Sequence, residues 1–248
     1  MHTRHIILLL DIDDTLIDFD SSTTVDTVYW NGINSDSWKI YLNTLKKLAK
    51  EKGIEIHYGI ATYKKAPGDL ISGVVLKQLE DVLDPKLIFF TGNQSKTTHA
   101  LDKARAQIQA EYKSKVPETD VWLFDDDEMA KTHATDKKYS FAKADFQGLA
   151  PSDQRVALCG LFKPLYENLG LLEAMPTMSS LSEEEKSRTK KLIVRREPIK
   201  HGENLGKWLL QKPQIGLSSF TEEELSNTQS LDEDDESGLQ SFRTLNIN

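Results

Sequence analysis

Residues 6–16, IILLLDIDDTL, set five consecutive apolar residues directly against Asp11, Asp13 and Asp14. A run that is apolar at every position, rather than at alternate ones, reads as a strand covered on both faces, and such strands belong to parallel sheets with helices on either side. The abrupt polar stop puts the aspartates at the strand's C-terminal end, the edge where α/β sheets carry their chemistry. Two carboxylates two residues apart repel one another, so their burial is costly unless a cation or a proton transfer uses the charge. An acidic turn capping the next element is the plainer alternative. An EF-hand loop is excluded, because the sixth position is not Gly and Ser22 stands where a bidentate Glu is required.

The rest of the chain alternates in type. Residues 16–34 alternate apolar and polar side chains up to the turn signal Asn31-Gly32, which predicts a β-hairpin flap over the carboxylates. Ser35 or Asp36 caps a helix with Trp38, Tyr41, Leu42, Leu45 and Leu48 on its apolar face, stopped by Gly53. Strands are expected at 54–61, 86–91 and 121–124, separated by helices at 68–83 and 96–115. That order predicts an α/β fold, a doubly wound parallel sheet, in which distant strand ends share one edge. Tyr139 to Ala142 adds an edge strand. A helix over 152–172 follows, with Val156, Leu161, Phe162, Leu165 and Leu169 as its apolar residues.

Three further strand ends carry usable groups. The Thr62 hydroxyl suits a phosphate oxygen, although a Thr there also serves as an N-cap. Lys96 opens a helix and is placed to pair with Asp11, unless it is a solvated surface lysine. Asp125, Asp126 and Asp127 offer a second source of carboxylates for a cation, or an acidic cap for the next helix. The segment GNQSKT at 92–97 is not a phosphate-binding P-loop, since Ser95 replaces the Gly that must precede Lys96.

Asp-x-Asp-x-Thr at residues 11–15, Ile-Ala-Thr at 60–62, the helix-opening Lys96 and Phe-Asp-Asp-Asp at 124–127 resemble, in kind and order, the motifs of the haloacid dehalogenase superfamily of phosphatases and phosphotransferases. The resemblance covers roughly residues 6 to 130. It implies the family's Rossmann-like sheet and a Mg2+-dependent hydrolysis of phosphomonoesters through an aspartyl-phosphate. By the same resemblance Asp11 is the nucleophile and Asp13 the general acid/base. Thr62 contacts the phosphate, and Lys96 contacts the nucleophile. The Mg2+ ligands it implies are Asp11, the backbone carbonyl of Asp13, and Asp126, with Asp127 next. The second Asp argues against a dehalogenase, because carbon–halogen cleavage needs no proton for the leaving group.

Neither gap between these motifs has room for an inserted cap domain. An uncapped site excludes water poorly from a small metabolite but accepts a phosphate displayed on a macromolecule, whose surface completes the closure. The expected substrate is therefore a phosphoprotein, phosphotyrosine before phosphoserine, with Tyr29, Trp30 and Tyr63 flanking the site. Two rivals are a nucleotide or polynucleotide phosphatase and a catalytically silent fold serving as a binding module. Nucleic acid is not expected as a partner. The net charge of −8 comes from eight acids and no base over residues 222–236, and the preceding chain is nearly balanced, with no sign of a basic groove.

The 248 residues divide into an expected phosphatase domain at 1–175, a helical basic extension at 176–217 and an acidic, disordered tail at 218–248. Lys186, Arg188, Lys190, Lys191, Arg195 and Arg196 make the extension a candidate contact, over residues 186–200, for acidic lipid. A single cysteine, Cys159, and an N-terminal apolar run too short for a secretory signal predict a reducing, cytoplasmic setting. The Glu222–Glu224 block with its polar end is similar to the C-terminal signals of bacterial effectors delivered into host cells, which would make a host cell the destination.

Overall fold

The computed structural model describes residues 3–19, 29–32, 34–65 and 70–176. The expected basic helix, the acidic tail and the boundary between them lie outside the described residues, which end one residue past the expected boundary at 175. No helix among the described residues is long and apolar enough to cross a membrane.

The uniformly apolar run becomes β1 (Arg4–Leu10), with Ile6 to Leu10 fully buried. Successive strand side chains point to opposite faces, so the two faces of β1 feed two cores. Ile6, Leu8 and Leu10 join one core with Trp38, Leu42, Val75, Phe162 and Tyr166, whereas Ile7 and Leu9 join another with Ala100, Leu101, Ala104, Ile108 and Ala130. Helices α1 (Ser35–Glu51), α2 (Leu70–Gln78) and α5 (Pro151–Asn168) cover the first face. Helices α3 (Asp102–Tyr112) and α4 (Glu128–Asp136) cover the second. At about 25 cal/mol per Å2 of apolar surface removed from water, this two-sided burial is the main term holding the layers together.

Two short antiparallel strands, β2 (Ile17–Asp18) and β3 (Tyr29–Trp30), pair beyond the end of β1. The remaining strands are β4 (Ile54–Thr62), β5 (Ile88–Phe90), β6 (Val121–Asp125) and β7 (Ser140–Lys143). The sheet order is β5-β4-β1-β6-β7, every pair parallel. The chain therefore runs outward from β1 on one side, then returns to add β6 and β7 on the other. Rossmann-like sheets share this order, and their ligands bind where the order reverses, here between the C-terminal ends of β1 and β6.

Several local expectations shift for identifiable reasons. The cap of α1 is Asn34, not Ser35 or Asp36; its side chain accepts the Ser37 amide at 2.9 Å, and the other two are already helical. Helix α2 stops at Gln78 rather than Leu83, and a separate turn follows in which the Val82 and Leu83 amides donate to the Leu79 carbonyl. The strand expected from Lys86 shrinks to β5, since Asp84 accepts the Lys86 amide at 3.0 Å and fixes a 3-10 turn over Pro85–Leu87. The helix expected over 96–115 opens with a π-helical turn, Thr97–Leu101, before α3. Val156 is 72% exposed; the buried face of α5 runs through Leu158, Leu161, Phe162, Leu165 and Leu169, and position 156 is off that stripe. The flap is seen as the β2–β3 pair, and Gln154 of α5 anchors it by accepting the Gly32 amide at 2.9 Å. Gly59 sits where a Cβ would lie 2.1 Å from the Leu87 carbonyl oxygen, so β4 and the 3-10 turn approach this closely only with glycine there.

Candidate active site

The parallel register builds the site. Leu9 pairs with Leu123, and the Asp11 amide donates to the Phe124 carbonyl at 2.9 Å, extending the ladder past the formal end of β1. Two residues beyond Leu9 and Leu123 are Asp11 and Asp125, so both carboxylates emerge on the face that carries Ile7 and Leu9. The π-helical turn covers that face. Lys96, its first flank, is 1% exposed, and its Nζ lies 3.0 Å from Asp11 Oδ1 and 2.7 Å from Asp125 Oδ2. A π turn spends one extra residue on its ladder and often marks a functional site. Here it follows directly on the buried lysine.

Asp11, Asp125 and Asp126 each offer one oxygen, all within 4.8 Å of one another. Asp125 has both oxygens engaged, Oδ2 with Lys96 and Oδ1 with the Asp127 amide at 3.0 Å. Asp127 does not join the cluster; its carboxylate caps α4 by accepting the Met129 amide at 2.9 Å. Asp13 stands slightly apart, with Oδ1 3.2 Å from the Lys64 Nζ, and its backbone carbonyl accepts the Thr15 amide at 2.6 Å. Thr62 is fully buried at the end of β4, and its hydroxyl is 3.5 Å from the Lys64 amide.

Of the residues singled out from sequence, the fold brings Asp11, Asp126 and Lys96 together, and Asp13 pairs separately with Lys64. The sequence offers Asp125 only as part of the acidic run, behind Asp126 and Asp127, and sequence reasoning passes over Lys64, which pairs with Asp13. Asp125 belongs to the acidic run that drew attention to this strand end, but choosing it from that run requires the register with β1. Of the three aromatic residues expected to flank the site, Tyr63 does so, 37% exposed and with its ring 4.2 Å from Lys96 Nζ. Trp30 instead turns into the core, where its indole N–H donates to Gln78 at 2.8 Å, because a large apolar ring gains more from the β2–β3 core than from solvent.

Burial dominates the electrostatics. It raises Asp11 to about 6 against the opposing pull of Lys96, and it raises Asp125, which also faces Asp11, to about 7. Burial and the Asp125 charge raise Asp126 to about 6. Burial acts to lower the Lys96 pKa, but Asp11 and Asp125 outweigh it and hold the ammonium well above the ordinary lysine value. The cluster thus has three carboxylates and one lysine, two of the carboxylates pairing with it. An all-oxygen, acid-rich donor set of this kind fits a hard divalent cation such as Mg2+.

The charge excess predicts a pH response. These carboxylates have folded-state values above their ordinary 3.8, so the folded chain binds protons more tightly than the unfolded one. The resulting stabilisation is complete below about pH 4 and is lost as the pH rises through 6 to 7. In EDTA, the urea midpoint is expected to fall between about pH 5 and pH 8, and Mg2+ to raise it more at the higher pH. A Mg2+ effect equal at both pH values would count against a metal-binding carboxylate cluster.

No protein-family model and no curated protein matches the chain.

Proposed function

We propose that this chain is a phosphomonoesterase of the haloacid dehalogenase type that works through an aspartyl-phosphate on Asp11 and depends on Mg2+. The observation that carries the reading is the buried Lys96 held between Asp11 and Asp125, with Asp126 alongside, at the switch point of a parallel sheet. Asp11 and Asp126 would hold the cation, with the Asp13 carbonyl as a further ligand, and Asp125 orients Lys96. Bound Mg2+ supplies neutralisation of phosphoryl charge.

The residues divide the chemistry between them. The Asp11 carboxylate attacks phosphorus while the ester P–O bond breaks, and Asp13 gives its proton to the departing oxygen. Asp13, now a carboxylate, takes a proton from the water that attacks the phosphoryl group and frees Asp11. Lys96 keeps Asp11 oriented and offsets the developing charge, and the Thr62 hydroxyl donates to a phosphoryl oxygen. Lys64, with its Nζ 3.2 Å from Asp13 Oδ1, holds that carboxyl group in place.

The substrate class proposed is a phosphoprotein, with phosphotyrosine favoured. Tyr63, partly exposed beside Lys96, supports an aromatic phosphoester. Between β1 and β4 the described residues hold β2, β3 and α1, and between β4 and β5 they hold α2 and a 3-10 turn; this supports an uncapped site open to a phosphate displayed on a macromolecule. The test is hydrolysis of p-nitrophenyl phosphate, a phosphotyrosine peptide and a nucleoside monophosphate, each with Mg2+ or EDTA. Mg2+-dependent turnover with the peptide preferred is expected. Preference for the nucleotide would replace the substrate class, and no turnover on any of them by folded, Mg2+-loaded protein would favour the silent binding module.

A further inference from the structure

At the opposite end of the sheet a second group of donors converges. His5 and Glu55 are register partners on β1 and β4, and His57 lies two residues beyond Glu55, so all three side chains share one face. His5 Nδ1 is 3.1 Å from His57 Nε2 and 3.8 Å from Glu55 Oε2, and one donor atom from each residue lies within 4.8 Å of the others. His5 and His57 are 4% and 6% exposed, whereas the Glu55 side chain is 44% exposed and opens the group to solvent. The Tyr112 hydroxyl, from the last residue of α3, donates to Glu55 Oε1 at 3.3 Å, and its ring packs on both imidazoles.

We propose that His5, Glu55 and His57 form a binding site for a first-row transition-metal ion, Zn2+ by donor type, that ties β1 to β4 at the edge remote from Asp11. Tetrahedral Zn2+ with bonds of 2.0–2.1 Å holds its ligand atoms about 3.3 Å apart, and the two separations here bracket that value. Imidazole nitrogen suits Zn2+ and its neighbours and not Mg2+, so this site and the carboxylate cluster select different ions. Tyr112 holds the carboxylate oxygen that would not face the metal, as outer-shell donors do at such sites. A fourth position is left for water. Asp11 lies six residues on from His5, about 20 Å of extended chain, so the site is independent of the proposed hydrolysis.

The test uses the full chain, stripped with EDTA and then equilibrated with Zn2+ or Co2+ in excess Mg2+, which occupies the carboxylate cluster. The expected result is one tightly held Zn2+, a raised thermal midpoint, and visible absorption from nitrogen-ligated Co2+. His57→Gln and Glu55→Gln are each expected to weaken Zn2+ binding at least ~10-fold, since even an outer-shell loss costs that much. Asp11→Asn should retain the ion. Glu55 is exposed, so its variant decides the matter where His57→Gln does not fold. Absence of Zn2+ from the wild type, or equal retention by Glu55→Gln, would overturn the proposal, as would loss of the ion in Asp11→Asn.

Discussion

Replacing Lys96 by Met is expected to cost about 3–5 kcal/mol of stability near pH 8, the usual penalty for removing one partner of a buried charge pair. The methionine fills much of the same volume, so the loss is chiefly electrostatic. Asp11 and Asp125, already raised to about 6 and about 7 in the presence of the lysine, then face one another without it. They escape by taking up protons, and the penalty therefore shrinks as the pH falls toward 5. Urea unfolding at both pH values measures it. A loss below about 1 kcal/mol at pH 8 would mean that Lys96 does not neutralise the cluster. Turnover should fall by at least ~10²-fold in the same variant, because the positive charge opposite the transferring phosphoryl group is gone.

Asp11→Asn is expected to abolish phosphomonoester hydrolysis, lowering kcat by at least ~10³-fold, because an amide in place of the attacking carboxylate cannot form the covalent intermediate. Its effect on stability has the opposite sign to that of Lys96→Met. The substitution removes a buried carboxylate that repels Asp125 while leaving the Lys96–Asp125 pair of 2.7 Å in place. The metal-free variant should thus be at least as stable as the wild type near pH 8. Steady-state kinetics with p-nitrophenyl phosphate and Mg2+, beside urea unfolding in EDTA, separate the two effects. Retained turnover would remove Asp11 from the nucleophile's role, and a large loss of stability would show that its charge supports the fold.

The two experiments divide the roles of one cluster. Lys96 neutralises and orients, so its loss affects folding and chemistry together. Asp11 reacts, so its loss affects chemistry while the architecture stands. A binding module using the same fold would show the stability effects of both substitutions without the kinetic ones.

Sequence by itself determined the framework. The unbroken apolar run before Asp11 is a short one that a buried helix could also carry, and its abrupt polar stop favoured a strand buried on both faces. The alternation of strands with amphipathic segments pointed to a parallel sheet with helices on both sides. Those are local signals, carried by hydrophobic periodicity and by turn residues such as Gly53. The same reading put Asp11, Thr62, Lys96 and the 125–127 acids at strand ends or just after them. It could not rank the acids within that run. Asp125 enters the cluster because the β1–β6 register sets it beside Asp11, and Asp127 leaves it because its carboxylate is drawn to the first turn of α4. Trp30 and Tyr63 were equivalent as sequence and became a core residue and a site residue through packing. The π turn beside Lys96 and the pairing of His5 with Glu55 and His57 were invisible for the same reason. Periodicity specifies which side of an element is buried, whereas register and side-chain direction depend on neighbours that the folded sheet alone brings together.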